Sequence, residues 1–179
     1  MCGIFGVHGH SDAVHLAQLG LYSLQHRGQE SVGVAVFEED GAARVVRSMG
    51  TMSSDMAADL DRLQGRMAVG HTRYSTAGSS TIDNAQPVFV RSRGGYIALA
   101  HNGNLINAGE MRQDLESTGS IFSSTMDSEV LVHRLAKSNA PTRWPPTLEP
   151  RKLRITLIFQ ARDNEENRRY RVRLQEQFS

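Results

Sequence analysis

The spacing of hydrophobic and polar residues along the first 140 positions predicts a series of short strands and helices. Apolar stretches with a strand-like pattern predict six strands, at 3–7, 32–37, 43–47, 67–72, 88–91 and 96–101. Stretches with the helical period predict four helices, at about 12–26, 54–63, 107–116 and 127–137. Strands come in adjacent pairs instead of alternating strictly with helices. The pattern therefore favours an α+β fold, with antiparallel sheets and helices outside them, over a doubly wound nucleotide-binding fold.

Small polar residues stand where the predicted helices begin, and turn residues stand between the predicted strands. The candidate N-terminal caps are Ser11 or Asp12, Ser53 or Ser54, Asn107 and Asp127. Gly28 follows the first helix and is expected to end it. Turns are predicted at 39–41, inside a hairpin, and at 93–95, before the last strand of the pattern.

Composition changes sharply near residue 139. All 16 glycines lie at or before Gly119, whereas four of the five prolines lie after residue 140. Residues 1–140 carry 11 basic and 14 acidic side chains, a net charge of −3, and residues 141–179 carry 9 and 5, a net charge of +4. Composition alone leaves two interpretations open: a linker into a small basic segment, or a tail that does not naturally continue the domain. In that tail, 153–159 predicts a strand and 163–177 a solvated helix.

The overall numbers are those of an ordinary globular chain. Its 179 residues are 39% hydrophobic, its net charge is +1, and no apolar run approaches the roughly 20 residues needed to cross a bilayer. We therefore expect neither a nucleic-acid nor a membrane partner, and no secretory signal precedes the first strand. A single cysteine excludes an intramolecular disulfide framework and any all-cysteine metal site. The expected location is cytoplasmic.

The first candidate for chemistry is the segment Met1-Cys2-Gly3-Ile4-Phe5-Gly6. Removal of Met1 would place the α-amine of Cys2 within reach of its own thiol. An unperturbed α-amine has a pKa of about 7.7–8.0, so it can take the thiol proton and later return it to a leaving group. Taken alone, Cys2 is more simply explained as a small apolar residue at the start of a strand.

Four more segments carry polar residues at the ends of predicted elements. Arg27, at the end of the first helix, could shape a pocket wall, and Arg73, at the end of a strand, could hold a carboxylate through two parallel hydrogen bonds. Asn102 and Gly103 close another strand and could direct two N–H donors at one oxygen. Asp127 could accept an ammonium group. Each of these residues alone also has an ordinary structural role, as a dipole partner, an exposed strand end, a turn or a cap.

Taken together, these pieces form a set suited to glutamine: a self-activated thiol, a carboxylate clamp, an oxyanion pair and an ammonium acceptor. The segments CGIFGV, LQHRGQES, GHTRYSTAG, NAQPV, AHNGNL and DSE, in this order, resemble the glutaminase domain of amidophosphoribosyltransferases over about residues 2–138. HRGQES and HTRYST distinguish the chain from hexosamine-phosphate amidotransferases, which look more like YRGYDS and HTRWAT.

The resemblance implies a fold and a role for each matching residue. The family fold is an N-terminal-nucleophile hydrolase-like four-layer αββα sandwich, expected here to be incomplete. Cys2 matches the nucleophile, which is also its own base. Arg73 matches the group that binds the α-carboxylate of glutamine, and Asp127 the group that holds its α-amine. Asn102 and Gly103 match the oxyanion hole. Thr76 matches a neighbouring backbone contact, and Arg27 is assigned to the pocket wall.

Departures from the family pattern define the expected domains. We predict a partial glutaminase domain at 1–138 and an unrecognised Pro- and Arg-rich tail at 139–179, with no phosphoribosyltransferase domain in this chain. No cofactor is expected, since Mg²⁺ belongs to the missing domain and an iron–sulfur cluster would need further cysteines. Glutamine is the expected partner, and the homo-oligomers typical of the family are not expected to be preserved. Two alternatives stay open: a truncated product without activity, and a stand-alone glutaminase of another class II amidotransferase.

Overall fold

The computed structural model of the protein describes residues 2–38, 40–74, 80–92 and 95–137, together with the backbone of one strand at 154–159. Seven strands and four α-helices are found in these residues. In chain order they are β1 (Gly3–His8), α1 (Ala13–Leu24), β2 (Ser31–Phe37), β3 (Ala43–Met49), α2 (Ser54–Asp61), β4 (Met67–Arg73), β5 (Val88–Ser92), β6 (Gly95–Asn102), α3 (Ala108–Ser117), α4 (Ser128–Lys137) and β7 (Arg154–Phe159). Single turns of 3₁₀ helix at Gln25–Arg27 and Ile82–Asn84 precede β2 and β5.

The strands form two sheets. Sheet A has the order β1-β4-β2-β3, and all of its neighbouring strands are antiparallel. Sheet B has the order β5-β6-β7, in which β5 and β6 are antiparallel but β6 and β7 are parallel. The expectation of antiparallel sheets is therefore wrong for the β6–β7 pair. A parallel pair needs a long connection, and residues 103–153 separate these two strands.

The two sheets face each other between two layers of helices. The outer face of sheet A packs against α1 and α2 through a hydrophobic cluster that includes Leu21, Leu60 and Val34. Between the sheets, Ala35 and Phe37 of β2 contact Ala98 of β6. On the far side, α4 packs against β5 and β6, and α3 against α4. This four-layer αββα arrangement confirms the expected α+β class.

Side chains along β2 explain how one strand serves two cores. Val32, Val34 and Val36 belong to the helix-facing cluster, and the intervening Ala35 and Phe37 belong to the cluster between the sheets. Successive side chains of a strand point to opposite faces, so a strand buried on both faces needs apolar residues at both sets of positions. All seven residues of β2 are buried.

The helix boundaries match the sequence predictions more closely than the caps do. Ser53 caps α2, because its side chain accepts a hydrogen bond from the N–H of Met56 at 3.2 Å. Asp12 and Asn107 occupy the cap positions of α1 and α3 without a side-chain cap bond. The predicted tail strand is present as β7, whereas the predicted tail helix at 163–177 lies outside the described residues. Among the residues that are described, none of the helices combines the length and apolarity required to span a bilayer.

Candidate functional site

Cys2 lies at the head of β1, beside the end of β4. Because β1 and β4 pair with Gly3 opposite Thr72, Cys2 lies at the end of β4, where its sulfur contacts the backbone of Tyr74. The Tyr74 N–H donates to Cys2 Sγ at 3.5 Å, and the thiol donates to the Tyr74 carbonyl at 3.6 Å. Cys2 is half-buried, so the sulfur is held in position by a neighbouring strand end and is still accessible.

Two side chains from distant parts of the chain bind the carbonyl oxygen of Cys2. Arg27 Nε and Asn102 Nδ2 each donate to it at 3.1 Å. Arg27 belongs to the 3₁₀ turn after α1, and the following Gly28 passes against the backbone of β4. A Cβ at Gly28 would lie 2.6 Å from the carbonyl carbon of Arg73, so only glycine allows this approach. The backbone of Cys2 is thus held by a residue from the 3₁₀ turn after α1 and by a residue at the end of β6.

A cavity of about 90 Å³ opens beside Cys2. Its lining comes from the ends of β4 and β6, the segment before β5, and the loop before α4. The lining residues are Cys2, Arg73, Tyr74, Gln86, His101, Gly103, Asn104, Thr125, Met126 and Asp127. Cys2, Arg73, Gly103 and Asp127 therefore share one cavity, while Arg27 and Asn102 bind the carbonyl of Cys2. Thr76 lies outside the described residues.

Arg73 is buried at the cavity and forms an ion pair with Glu30. Its Nη1 lies 2.7 Å from Glu30 Oε1, and the two side chains are 5% and 13% exposed. The hydroxyl of Ser80 also donates to Glu30 Oε1, at 2.7 Å. An arginine restrained in this way presents its planar guanidinium in a fixed orientation, which suits the recognition of a carboxylate. Glu30 lies within the sequence segment LQHRGQES, and its ion pair with Arg73 joins positions 43 residues apart.

Asp127 connects the two walls of the cavity. Its Oδ2 accepts a hydrogen bond from the backbone N–H of Leu105 at 2.7 Å. Leu105 follows directly on the turn that begins at Asn102, so the carboxylate and the predicted oxyanion donors are fixed relative to each other.

The loop that precedes α4 is held by a buried carboxylate. Glu129 accepts hydrogen bonds from the backbone N–H and the hydroxyl of both Ser123 and Ser124, at 2.6–2.8 Å. Burial alone would raise the pKa of Glu129, but these hydrogen bonds outweigh it and hold the pKa below its ordinary value. Glu129 is therefore ionised at neutral pH and stabilises the loop that leads to Asp127.

A buried histidine joins the two sheets behind the cavity. The ring of His71, in β4, contacts the carbonyl oxygen of His101, in β6, through Nε2 at 3.2 Å. Burial is the main reason that the pKa of His71 falls to about 3, and the nearby Arg73 and His101 lower it further against the opposing effect of this hydrogen bond. His71 is therefore neutral at physiological pH and serves as a structural hydrogen-bonding group.

A larger cleft lies away from Cys2, between α1, α2 and the end of β2. Its volume is about 580 Å³, and its lining includes Asp12, Glu38, Asp61 and Arg66 but none of the predicted site residues. Size alone would favour it as a ligand site. The small cavity is nevertheless the better candidate, because it combines an accessible thiol with converging charged and N–H groups. In the described part of the chain, no cluster of histidine, cysteine or acidic residues could hold a metal ion.

Comparison with known proteins identifies a consistent set of relatives. A family model described as a glutamine amidotransferase domain matches residues 32–141. An amidophosphoribosyltransferase of Synechococcus elongatus is 47% identical over 151 residues, covering 83% of this chain and 30% of that protein. A chloroplastic amidophosphoribosyltransferase 2 of Arabidopsis thaliana is 44% identical over 140 residues, covering 78% of this chain and 25% of that protein.

A solved structure agrees with these sequence matches. The glutamine phosphoribosylpyrophosphate amidotransferase of B. subtilis, complexed with ADP and GMP, superposes with a TM-score of 0.68 at 38% identity. The match covers 78% of this chain and 30% of that one. The chain therefore spans only about a quarter to a third of the length of these relatives.

Proposed function

The chain belongs to the glutamine amidotransferase domain family, and we propose that it hydrolyses glutamine with Cys2 as the nucleophile. We further propose that the ammonia released serves the synthesis of 5-phosphoribosylamine from phosphoribosyl diphosphate, the first step of purine biosynthesis, within a longer amidophosphoribosyltransferase. The observation that carries the proposal is the shared cavity of Cys2, Arg73, Gly103 and Asp127, with Asn102 bound to the carbonyl of Cys2.

Glutamine binding would use the two charged groups of the cavity. The guanidinium of Arg73 would pair with the α-carboxylate, and the carboxylate of Asp127 would accept hydrogen bonds from the α-ammonium. Both groups are fixed by other contacts, Arg73 by Glu30 and Asp127 by the N–H of Leu105. Fixed groups lose little conformational entropy on binding, so they favour a single orientation in which the side-chain amide faces Cys2.

The chemistry would proceed through a thioester. Removal of Met1 frees the α-amine of Cys2, which takes the thiol proton as the sulfur attacks the amide carbon of glutamine. The oxyanion that forms would be stabilised by the Asn102 amide and the Gly103 N–H. The protonated amine then gives its proton to the leaving nitrogen, and the C–N bond breaks to release ammonia. Water attacks the resulting thioester, transfers a proton to the same amine, and releases glutamate with the restored thiol.

Three further expectations accompany this function. The proposed location is the cytoplasm, and the proposed small-molecule partner is glutamine, with neither nucleic acid nor a membrane involved. No cofactor is required for the steps described, because the thiol, the amine and the two N–H donors supply all the groups that they use.

The test is ammonia release from glutamine by the purified chain and by Cys2→Ser. We expect the substitution to abolish release and leave the circular dichroism spectrum unchanged, because a hydroxyl is much harder to ionise than a thiol. The matched control is Ser23→Ala, which changes an exposed hydroxyl on α1 that bonds only locally, to the Leu19 carbonyl. If Cys2→Ser released ammonia as fast as an active unmodified chain, the assignment of Cys2 as the nucleophile would be refuted.

A further inference from the structure

Two buried amide side chains lie two residues apart in the segment before β5, and each binds a different wall of the cavity. Asn84 is 1% exposed and Gln86 is 6% exposed. Gln86 contacts the end of β6, and Asn84 contacts the loop before α4. The sequence segment NAQPV contains both residues.

Gln86 replaces a missing strand contact. The β5–β6 ladder pairs Val88 with Leu99, and continuing its register by two residues would place Gln86 opposite His101. The ladder stops at Val88, and the side-chain amide of Gln86 forms hydrogen bonds with both the N–H and the carbonyl of His101. Oε1 accepts from the His101 N–H at 2.6 Å, and Nε2 donates to the His101 carbonyl at 3.3 Å.

The residue held in this way is next to the proposed oxyanion donors. His101 is followed directly by Asn102 and Gly103, and its carbonyl also receives the ring of His71 from sheet A. Gln86 lines the cavity, but its amide oxygen and nitrogen are both bonded to His101. Its geometry therefore fits a role in fixing the backbone at the start of the turn.

Asn84 makes the corresponding contact on the opposite wall. Its Oδ1 accepts from the Thr125 N–H at 3.0 Å, and its Nδ2 donates to the Thr125 hydroxyl at 2.9 Å. Thr125 lies two residues before Asp127 and lines the cavity with it. Arg112 holds the same loop from outside, through the carbonyl of Ser124 at 2.9 Å.

We infer that Asn84 and Gln86 are positioning residues that set the spacing between the two walls of the glutamine site. Gln86 fixes the oxyanion turn, and Asn84 fixes the loop that carries the ammonium acceptor. This inference rests on the proposed glutaminase function. It assigns separate kinetic effects to the two residues, because oxyanion donors act in the transition state and Asp127 acts in binding.

Kinetics of glutamine hydrolysis by Gln86→Met, Gln86→Glu and Asn84→Leu test this division. Gln86→Met keeps the length of the side chain but removes both hydrogen bonds, so kcat should fall by about 10- to 100-fold while KM changes little. Gln86→Glu keeps the acceptor for the His101 N–H and should recover part of that loss. Asn84→Leu should mainly raise KM, by about tenfold or more. Gln113→Met, an exposed change on α3, is the matched control.

Amide hydrogen exchange on the same proteins separates positioning from general stability. We expect exchange to become about tenfold faster at residues 101–103 in Gln86→Met, with β1 unchanged. If the unmodified chain releases no ammonia, the proposed function fails, and exchange at 101–103 still decides the role of Gln86. Unchanged exchange there, or equally faster exchange in β1 and β6 of both Gln86 variants, would overturn the inference. The inference would also be overturned if Gln86→Met raised KM for glutamine and left kcat unchanged.

Discussion

Sheet A is fixed to its helices by a large apolar cluster, whereas the walls of the cavity at the ends of β4 and β6 are fixed by polar side chains. Among the side chains that the structure describes, which do not include those of β7, the cluster between sheet A, α1 and α2 contains eleven buried hydrophobic residues, against five in the cluster between sheet B and α4. Around the cavity, Glu30, Asn84, Gln86 and Glu129 are buried or largely buried, and each binds backbone or charged partners. Apolar packing thus supports the frame, and hydrogen bonds set the geometry of the site.

This division has a physical reason. Apolar packing is non-directional and tolerates small shifts, whereas a hydrogen bond fixes distance and angle. A site that must place a thiol, an arginine and two N–H donors around one small molecule needs directional contacts. The two regions should therefore respond to mutation in different ways: global loss of stability in the first, and local loss of substrate geometry in the second.

The largest effect on stability is expected from Leu21→Ala in the apolar region. Leu21 is 0% exposed and packs against Gly70 of β4, so its truncation leaves a cavity and should lower the free energy of unfolding by about 2–5 kcal/mol. Leu19→Ala on the same helix is the control, because Leu19 is 49% exposed. Urea denaturation measures both variants. If Leu21→Ala and Leu19→Ala lowered the free energy of unfolding by equally small amounts, the apolar cluster would not be what stabilises sheet A and its helices.

A smaller and more local effect is expected from Glu129→Gln in the polar region. An amide cannot accept hydrogen bonds on both of its polar atoms, so the donors of Ser123 or Ser124 lose a partner at a cost of about 1–3 kcal/mol. The loop before α4 should loosen, and KM for glutamine should rise more than kcat falls. Glu110→Gln, an exposed change on α3, is the control. Steady-state kinetics showing a loss in kcat alone would contradict the expected role of this loop.

The third effect is a pH dependence that arises where the two sheets meet. The pKa of His71 is about 3 in the folded state and about 6.5 when unfolded, so between these values the unfolded state binds more protons. The contribution of His71 is fully present above about pH 6.5 and is lost as pH falls, with a slope of up to about 1.4 kcal/mol per pH unit.

Urea midpoints measured between pH 5 and pH 7.5 test this dependence. In His71→Gln, the urea midpoint should depend less on pH than in the unmodified chain. The exposed control His15→Gln should leave this pH dependence unchanged. A slope that persists in His71→Gln would assign the acid sensitivity to other groups.

Periodicity in the sequence predicts the apolar region better than the polar one. The strands at 32–37 and 67–72 and a cap at Ser53 or Ser54 follow from local patterns. The structure confirms both strands and shows that Ser53 is the cap. The ladder that β6 forms with β7 does not follow from any local pattern, since parallel pairing is a long-range choice.

Local patterns also single out some residues of the candidate site. Cys2, Arg73, Asn102, Gly103 and Asp127 stand at element ends, where sequence motifs draw attention to them. The roles of Asn84 and Gln86 depend on partners 41 and 15 residues away, and no spacing rule connects them to those partners.

Intact-mass spectrometry after incubation with an electrophilic glutamine analogue tests the central claim most directly. The account predicts a chain that has lost Met1 and carries one adduct, located on Cys2 by fragmentation. Excess glutamine should prevent the adduct, and Cys2→Ser should not form it. A chain that keeps Met1, or an adduct on Cys2 that glutamine does not diminish, would contradict the proposal that Cys2 is a self-activated nucleophile in a glutamine site.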